Sequence, residues 1–60
     1  MSELSDAMVV YRARERITQA ELARRCDLTV QTICNIENDV QKPSRVTEAK
    51  IKLVIENKEG

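Results

Sequence analysis

Two threonines limit the fold of this chain more than any other feature of its sequence, because each stands directly before a short amphipathic pattern. Thr18 and Glu21 form the Thr-x-x-Glu pattern of a capping box, in which the threonine hydroxyl accepts a backbone N–H and the glutamate reaches back to the threonine. A helix, here helix 2, should therefore begin at Gln19 and run to about Arg25. Thr29 caps the next helix, so the two helices must be short and joined by only a few residues.

Helix 3, expected from Val30 onward, has a polar outer face that carries no Lys or Arg. A rotation of about 100° per residue places Ile33, Ile36 and Glu37 on one face. The opposite face holds Gln31, Cys34, Asn35 and Asn38. The segment 38–43 then breaks the pattern, since Asn and Asp accept left-handed backbone geometry and proline cannot continue a helix.

Two further helices are predicted at the ends of the chain. Helix 1 is expected from Leu4 to Arg16, helix 4 from about Arg45 to Asn57, and residues 58–60 should fray. Hydrophobic content of 42%, with a single Gly, a single Pro and one aromatic side chain, favours closely packed helices over a sheet. The fold prediction is all-α: one compact four-helix domain over residues 1–60, with a helix-turn-helix core at about 18–38.

The residue types exclude most enzymatic chemistry. The chain has no His and two Cys, so it offers no imidazole and at most half of a zinc site. We therefore expect no enzyme, no metal, no cofactor and no small-molecule substrate. Neither a signal peptide nor a membrane-spanning run is recognisable, which predicts a cytoplasmic chain with reduced thiols and no Cys26–Cys34 disulfide.

Four fragments in register resemble the Cro and phage-repressor class of helix-turn-helix proteins, also called the lambda-repressor-like or xenobiotic-response-element family. The fragments are TQAELA at 18–23, LTVQTI at 28–33, IEN at 36–38 and KPS at 42–44. The resemblance covers roughly Met8 to Ile55. It implies a lambda-repressor-like domain that binds double-stranded DNA, with helix 3 in the major groove and helix 2 bracing on the backbone. Typical members also carry a fifth helix, which we do not expect in residues 1–60.

Carried over position by position, the resemblance implies which side chains read bases. Val30, Gln31 and Asn35 match the positions that face base edges, and Cys34 lies beside them. Gln and Asn can bind adenine in bidentate fashion, whereas valine can only touch a thymine methyl. Two alternatives stay open: the amides can be an ordinary solvated face, and Cys34 can be a small tolerated side chain or a thiol that senses oxidants.

The resemblance also implies contacts to phosphates. Gln19 is similar to the Gln that binds a phosphate and steadies the recognition helix, and Asn38 to a phosphate-contacting Asn; otherwise Gln19 is a solvated first-turn residue and Asn38 a helix C-cap. The remaining phosphate candidates are Thr29, Thr32, Lys42, Arg45, either Arg24 or Arg25, and Lys50. The alternative for the charged residues is i,i+4 pairing on a solvated face, as between Glu21 and Arg25.

The distribution of charge suits a protein in which some residues read bases and others contact phosphates, although the net charge is zero. Residues 12–25 carry five Arg against two Glu, residues 26–39 carry three acids and no base, and residues 40–53 carry four bases against one acid. Positive charge thus flanks helix 3 instead of lying on it. Phosphate contacts position a protein and base contacts specify its sequence, so this arrangement is compatible with DNA binding.

The family pattern carries structural expectations too. Arg12 and Glu37 match an ion pair that ties helix 1 to helix 3. The family favours Gly where this chain has Arg16, Asp27 and Asp39; Asp tolerates left-handed geometry, whereas Arg16 predicts a different or longer end of helix 1.

Helix 4 has a wider apolar arc than one small core requires. Its surplus residues, expected to form a dimer interface in the absence of a fifth helix, are Ile51, Val54 and Ile55. The leading hypothesis is a sequence-specific DNA-binding transcriptional regulator, a small repressor that binds as a homodimer. The alternative is a helix-turn-helix module used for protein contact, as in an antitoxin or a transcriptional bridging factor.

Overall fold

The computed structural model describes residues 2–56 and shows four helices and no strand in that part of the chain. The helices are α1 (Glu3–Glu15), α2 (Gln19–Cys26), α3 (Val30–Glu37) and α4 (Arg45–Ile55). The all-α, four-helix prediction is confirmed. Helix α4 ends at Ile55 with Glu56 as its cap, and the predicted extension to Asn57 and the fraying of 58–60 lie outside the described residues.

A hydroxyl side chain caps the start of every one of these helices. Thr18 and Thr29 each accept the backbone N–H three residues on, at 3.1 and 3.2 Å, as their positions predict. Ser44 does the same for α4 at 3.2 Å, and Ser2, which sequence reasoning missed, does so for α1 at 3.1 Å. The Glu21 carboxylate binds Arg24 and Arg25 instead of reaching back to Thr18.

Three helix ends use left-handed backbone at non-glycine residues: Arg16 with φ 58°, Asp27 with φ 60° and Asp39 with φ 58°. The expectation of a different or longer end for helix 1 is wrong, because α1 stops at Glu15 and Arg16 adopts the family's left-handed turn. Two backbone bonds hold it there: the Arg16 N–H donates to Ala13 at 3.3 Å, and the Ile17 N–H donates to the Arg12 carbonyl at 3.0 Å. These bonds satisfy carbonyls of the last turn.

The strain at Arg16 predicts a stabilising substitution. In left-handed backbone the Cβ of a non-glycine residue costs about 1–2 kcal/mol, and Arg16→Gly removes this Cβ. Part of the gain is offset, because glycine has more conformational freedom than arginine in the unfolded chain. We expect the free energy of unfolding to rise by about 0.5–1 kcal/mol, measured by urea denaturation. As a control, Arg14→Gly makes the same change inside α1 and should lower stability. A lower stability for Arg16→Gly would show that the arginine side chain contributes more than the strain costs.

Helices α1 to α4 enclose one small apolar core. Its fully buried members come from all four helices: Met8, Leu22, Ile33, Ile36 and Ile51. Helix α2 packs most extensively against α3, and α4 packs against α1 and α2. The core therefore holds the two helices of the helix-turn-helix from behind and leaves the other side of α3 outward.

The placement of Ile51 corrects the predicted dimer interface. Ile51 has 0% of its surface exposed, so it has no surface to offer a partner. Val54 and Ile55 are half-buried and pack against the core. The reason is that α4 packs against α1 and α2, which cover this side of the helix. The large apolar side chains that α4 does expose are Val46 (67%) and Leu53 (74%).

Residues 2–56 lack two features that other functions would need. No helix in that range combines the length and the apolar character needed to cross a membrane. The same range contains no group of three or more Cys, Asp or Glu side chains placed to share a metal ion.

Candidate nucleic-acid interface

The turn between α2 and α3 fixes how the two helices meet. Asp27 adopts the left-handed conformation, and its N–H donates to the Arg24 carbonyl at 3.2 Å. The Leu28 N–H donates to the Ala23 carbonyl at 2.8 Å, and Thr29 then caps α3. The turn is short and held by its own backbone bonds, so α3 has one defined direction relative to α2.

Helix α3 buries one face and presents the other, as its periodicity predicts. Ile33, Ile36 and Glu37 are buried, whereas Val30 is 48% exposed and Gln31 is exposed. Three further members of the predicted DNA-contacting set on this helix are half-buried: Thr32, Cys34 and Asn35. A helix with this shape can present amide groups to the major groove while its back remains in the core.

The amides of the outward face are joined to each other. Gln31 Nε2 donates to Asn35 Oδ1 at 3.0 Å, and Asn35 Nδ2 donates to Gln41 Oε1 at 3.2 Å. Sequence reasoning paired the first two residues correctly on one face but missed Gln41. The sequence predicts a break in the helical pattern at 38–43 and phosphate contacts from Asn38 and Lys42, but no contact between Gln41 and α3. The left-handed Asp39 inside it was the signal that the chain folds back toward α3.

Glu37 is the anchor that fixes α3 to the rest of the domain. Arg12 Nε and Nη2 donate to its two carboxylate oxygens, both at 2.8 Å. The Glu37 side chain is 4% exposed and that of Arg12 is 23% exposed, so the pair is largely shielded from water. The predicted tie between the first and third helices therefore has bidentate geometry, the strongest form of this interaction.

The pKa of Glu37 reflects two opposing influences. Burial raises it, but the hydrogen bonds from Arg12 and Gln19, together with the charge of Arg12, lower it by more, so the net pKa lies below its usual value. The hydrogen bond to Glu37 in turn raises the pKa of Arg12. Both groups are charged at neutral pH, and neither acts as an acid or base there.

Gln19 joins this anchor as well as standing at the start of α2. Its Nε2 donates to Glu37 Oε1 at 3.0 Å, which links α2 to α3. The side chain is half-buried, so it is not the ordinary solvated first-turn residue of the alternative interpretation. The second amide hydrogen and the carbonyl oxygen remain for a further contact. A phosphate contact at this position stays a prediction.

The hydroxyl and thiol groups near α3 have local partners. Thr29 Oγ1 lies 2.9 Å from Thr32 Oγ1. Asn38 is the C-cap of α3, as the alternative interpretation proposed, and its Nδ2 lies 3.4 Å from Cys34 Sγ. Cys26 is in the core, where burial raises the pKa of its thiol, and it forms no disulfide with Cys34.

Ion pairs occupy part of the predicted phosphate-binding set. Arg24 and Arg25 both bind Glu21, at 2.8 and 3.2 Å, so the i,i+4 pairing of the alternative interpretation is present. Arg25 also donates to the Tyr11 hydroxyl at 2.9 Å, which ties α2 to α1 and raises the pKa of Arg25. Lys50 lies 3.5 Å from Asp27. Among residues 2–56, the exposed basic side chains outside the ion pairs are Arg14, Arg16, Lys42 and Arg45.

Two capped helices joined by a tight turn, with a polar outward face on the second, define the helix-turn-helix class of DNA-binding domains. The chain belongs to the helix-turn-helix family of the Cro and phage-repressor type, whose model matches residues 10–47. The chain is thus a lambda-repressor-like, DNA-binding helix-turn-helix regulator. No curated protein and no solved structure matches it.

Proposed function

We propose that the protein is a sequence-specific transcriptional regulator, a small repressor that binds as a homodimer with α3 in the major groove. The observation that carries the proposal is the outward face of α3. Its amides point away from a core that holds the opposite face through Ile33, Ile36 and the Glu37 anchor. Rigid presentation of polar groups on a helix is what direct reading of base edges needs.

The amide groups on this face retain unused hydrogen-bonding capacity. Asn35 gives one N–H to Gln41 and accepts one from Gln31, so one N–H and one lone pair remain. Gln31 keeps one N–H and its whole carbonyl oxygen. One donor beside one acceptor is the pattern that matches N7 and N6 of adenine, while Val30 can contact a thymine methyl.

Contacts to the phosphate backbone come from the flanks of α3. Lys42 and Arg45 follow the helix, are exposed, and lie outside the ion pairs of the described residues. The neutral members of the phosphate set are Gln19, Thr29, Thr32 and Asn38. Few positive charges are available for the phosphates, so the salt dependence of binding should be shallower than for a strongly basic repressor.

A second copy of the chain would double these contacts. A domain of this size buries only about 60% of the surface of its unfolded chain, and its small core leaves apolar surface exposed. The large exposed apolar residues of α4 are Val46 and Leu53. They replace Ile51 as the proposed interface residues, beside the half-buried Val54 and Ile55. A symmetric dimer would present two α3 helices to half-sites about 34 Å apart, one turn of DNA.

Selection of bound duplexes from a random DNA library, at low and at physiological salt, tests the proposal. We expect enrichment of a two-fold-related site that survives competitor DNA. Binding without sequence preference, or no enrichment at all, would contradict it. That outcome would favour the second candidate, a helix-turn-helix used for protein contact, which the exposed Val46 and Leu53 and the uncharged outward face of α3 support.

Gln31→Ala tests base reading by α3 directly. Truncation removes one amide without touching the core, because Gln31 is exposed. We expect the free energy of binding to the selected site to weaken by about 1–3 kcal/mol while the thermal unfolding curve is unchanged. Val10→Ala on α1, another exposed residue, is the matched control and should leave binding unaltered. Unchanged binding by Gln31→Ala would remove this residue from the reading set.

A further inference from the structure

Gln41 lies in the loop after α3, and its side chain reaches Asn35 on the proposed reading face. Its side-chain oxygen accepts from Asn35 Nδ2 at 3.2 Å. Its backbone N–H and that of Val40 both donate to the Asn35 carbonyl oxygen, at 3.3 and 2.8 Å. Gln41 is therefore connected to Asn35 through both its main chain and its side chain.

The resulting row of three amides has a direction. Gln31 donates to Asn35, and Asn35 donates to Gln41. An amide rotated by 180° exchanges its donor and its acceptor, so a reversal at one position breaks the bonds of the row unless the neighbouring amides reverse too. The orientation at Gln41 is thus coupled to the orientation at Asn35 and Gln31.

This coupling matters because the amides of Gln31 and Asn35 face the major groove in the proposed function. Adenine requires a carbonyl oxygen opposite N6 and an N–H opposite N7, and an amide in the reverse orientation presents the wrong group to each. We infer that Gln41 is a positioning residue for base recognition, which sets the orientation of the Asn35 amide and, through it, of Gln31. The inference rests on the proposed function of α3.

The loop geometry supports a fixed position for Gln41. Asp39 turns the chain back with φ 58°, and its N–H donates to the Ile36 carbonyl at 3.1 Å. Pro43 follows shortly after and restricts the backbone on the other side. Gln41 itself is exposed, so its side chain can be changed without opening the core.

Three substitutions at Gln41 separate a positioning role from a structural one. Gln41→Glu keeps an acceptor for Asn35, Gln41→Lys offers only donors and forces the Asn35 amide to turn, and Gln41→Ala removes the partner. Library selection with each variant gives a base-preference profile, and Asn35→Ala identifies the base pair that Asn35 reads. Thermal unfolding of each variant checks that the fold is intact.

We expect Gln41→Ala to reduce the preference at that base pair at least about fivefold, and Gln41→Lys to change the preferred base although its added charge strengthens total binding. Gln41→Glu should keep the preference while weakening total binding. The inference would be overturned if Gln41→Ala and Gln41→Lys both kept the wild-type base preference. It would also be overturned if Gln41→Glu lost that preference, or if the base-preference profile of Asn35→Ala were identical to that of the wild type. Failure of the wild type to select any site would instead overturn the proposed function, and this inference with it.

Discussion

Replacing Ile51 with glutamate is expected to unfold the domain, whereas the same change at Leu53 leaves it folded. The two residues lie two positions apart on α4, but Ile51 is fully buried and Leu53 is 74% exposed. A carboxylate at position 51 would be buried without a partner, which costs several kcal/mol and also removes a core side chain. A domain of this size has a total stability of only about 3–9 kcal/mol. Loss of the helical circular dichroism signal at 25 °C is the measurement for Ile51→Glu.

The Leu53→Glu variant then tests the dimer separately from the fold. If a second copy covers Leu53, the charge should dissociate the dimer, and sedimentation should give the mass of a monomer at concentrations where the wild type is dimeric. Val40→Glu is a matched control, since Val40 is 73% exposed and lies in the loop between α3 and α4 instead of on α4 itself. A dimeric Leu53→Glu would place the interface elsewhere, and a folded Ile51→Glu would contradict the core described for α4.

The starts of the helices show which parts of the fold are determined by residues that are close in sequence. Thr18, Thr29 and Ser44 each precede an amphipathic pattern, and a hydroxyl at such a position satisfies backbone N–H groups that have no other partner. These starts could therefore be predicted within a few residues. Arg16 could not, because the left-handed conformation of a non-glycine residue is imposed by bonds to the end of α1 and has no signal in its own side chain.

The candidate site also combines features that neighbouring residues determine with contacts that depend on the packing of separate elements. Periodicity alone placed Gln31 and Asn35 on one face, since an α-helix fixes which residues are neighbours. It could not show that Gln19 binds Glu37 or that Gln41 returns to Asn35, because these contacts depend on how separate elements pack. Nor could it distinguish core from surface within the apolar arc of α4. Ile51 is buried only because α1 and α2 cover that side of the helix.

Removal of Arg12 is expected to be the most damaging change outside the apolar core. Arg12→Ala removes the cation from the Glu37 carboxylate, whose side chain is 4% exposed in the intact pair, and a broken buried pair typically costs about 3–5 kcal/mol. We expect about 3 kcal/mol, measured by urea denaturation at pH 7, because Arg12 itself is partly exposed. Glu37→Gln should cost less than Arg12→Ala, because the guanidinium that it leaves behind can turn toward water.

The pH dependence of stability distinguishes this explanation from a simple loss of packing. In the wild type the pKa of Glu37 is lowered by folding, so its contribution to stability is fully present above the unfolded pKa and is lost as pH falls through the folded pKa. In Arg12→Ala, burial is the largest remaining influence on Glu37 and raises its pKa in the folded state. The contribution of Glu37 to stability therefore changes sign, and the free energy of unfolding should increase as pH falls and the carboxyl group is protonated. The double variant Arg12→Ala/Glu37→Gln should lose this pH dependence. Parallel pH profiles for the wild type and Arg12→Ala would contradict the buried ion pair as the anchor of the recognition helix.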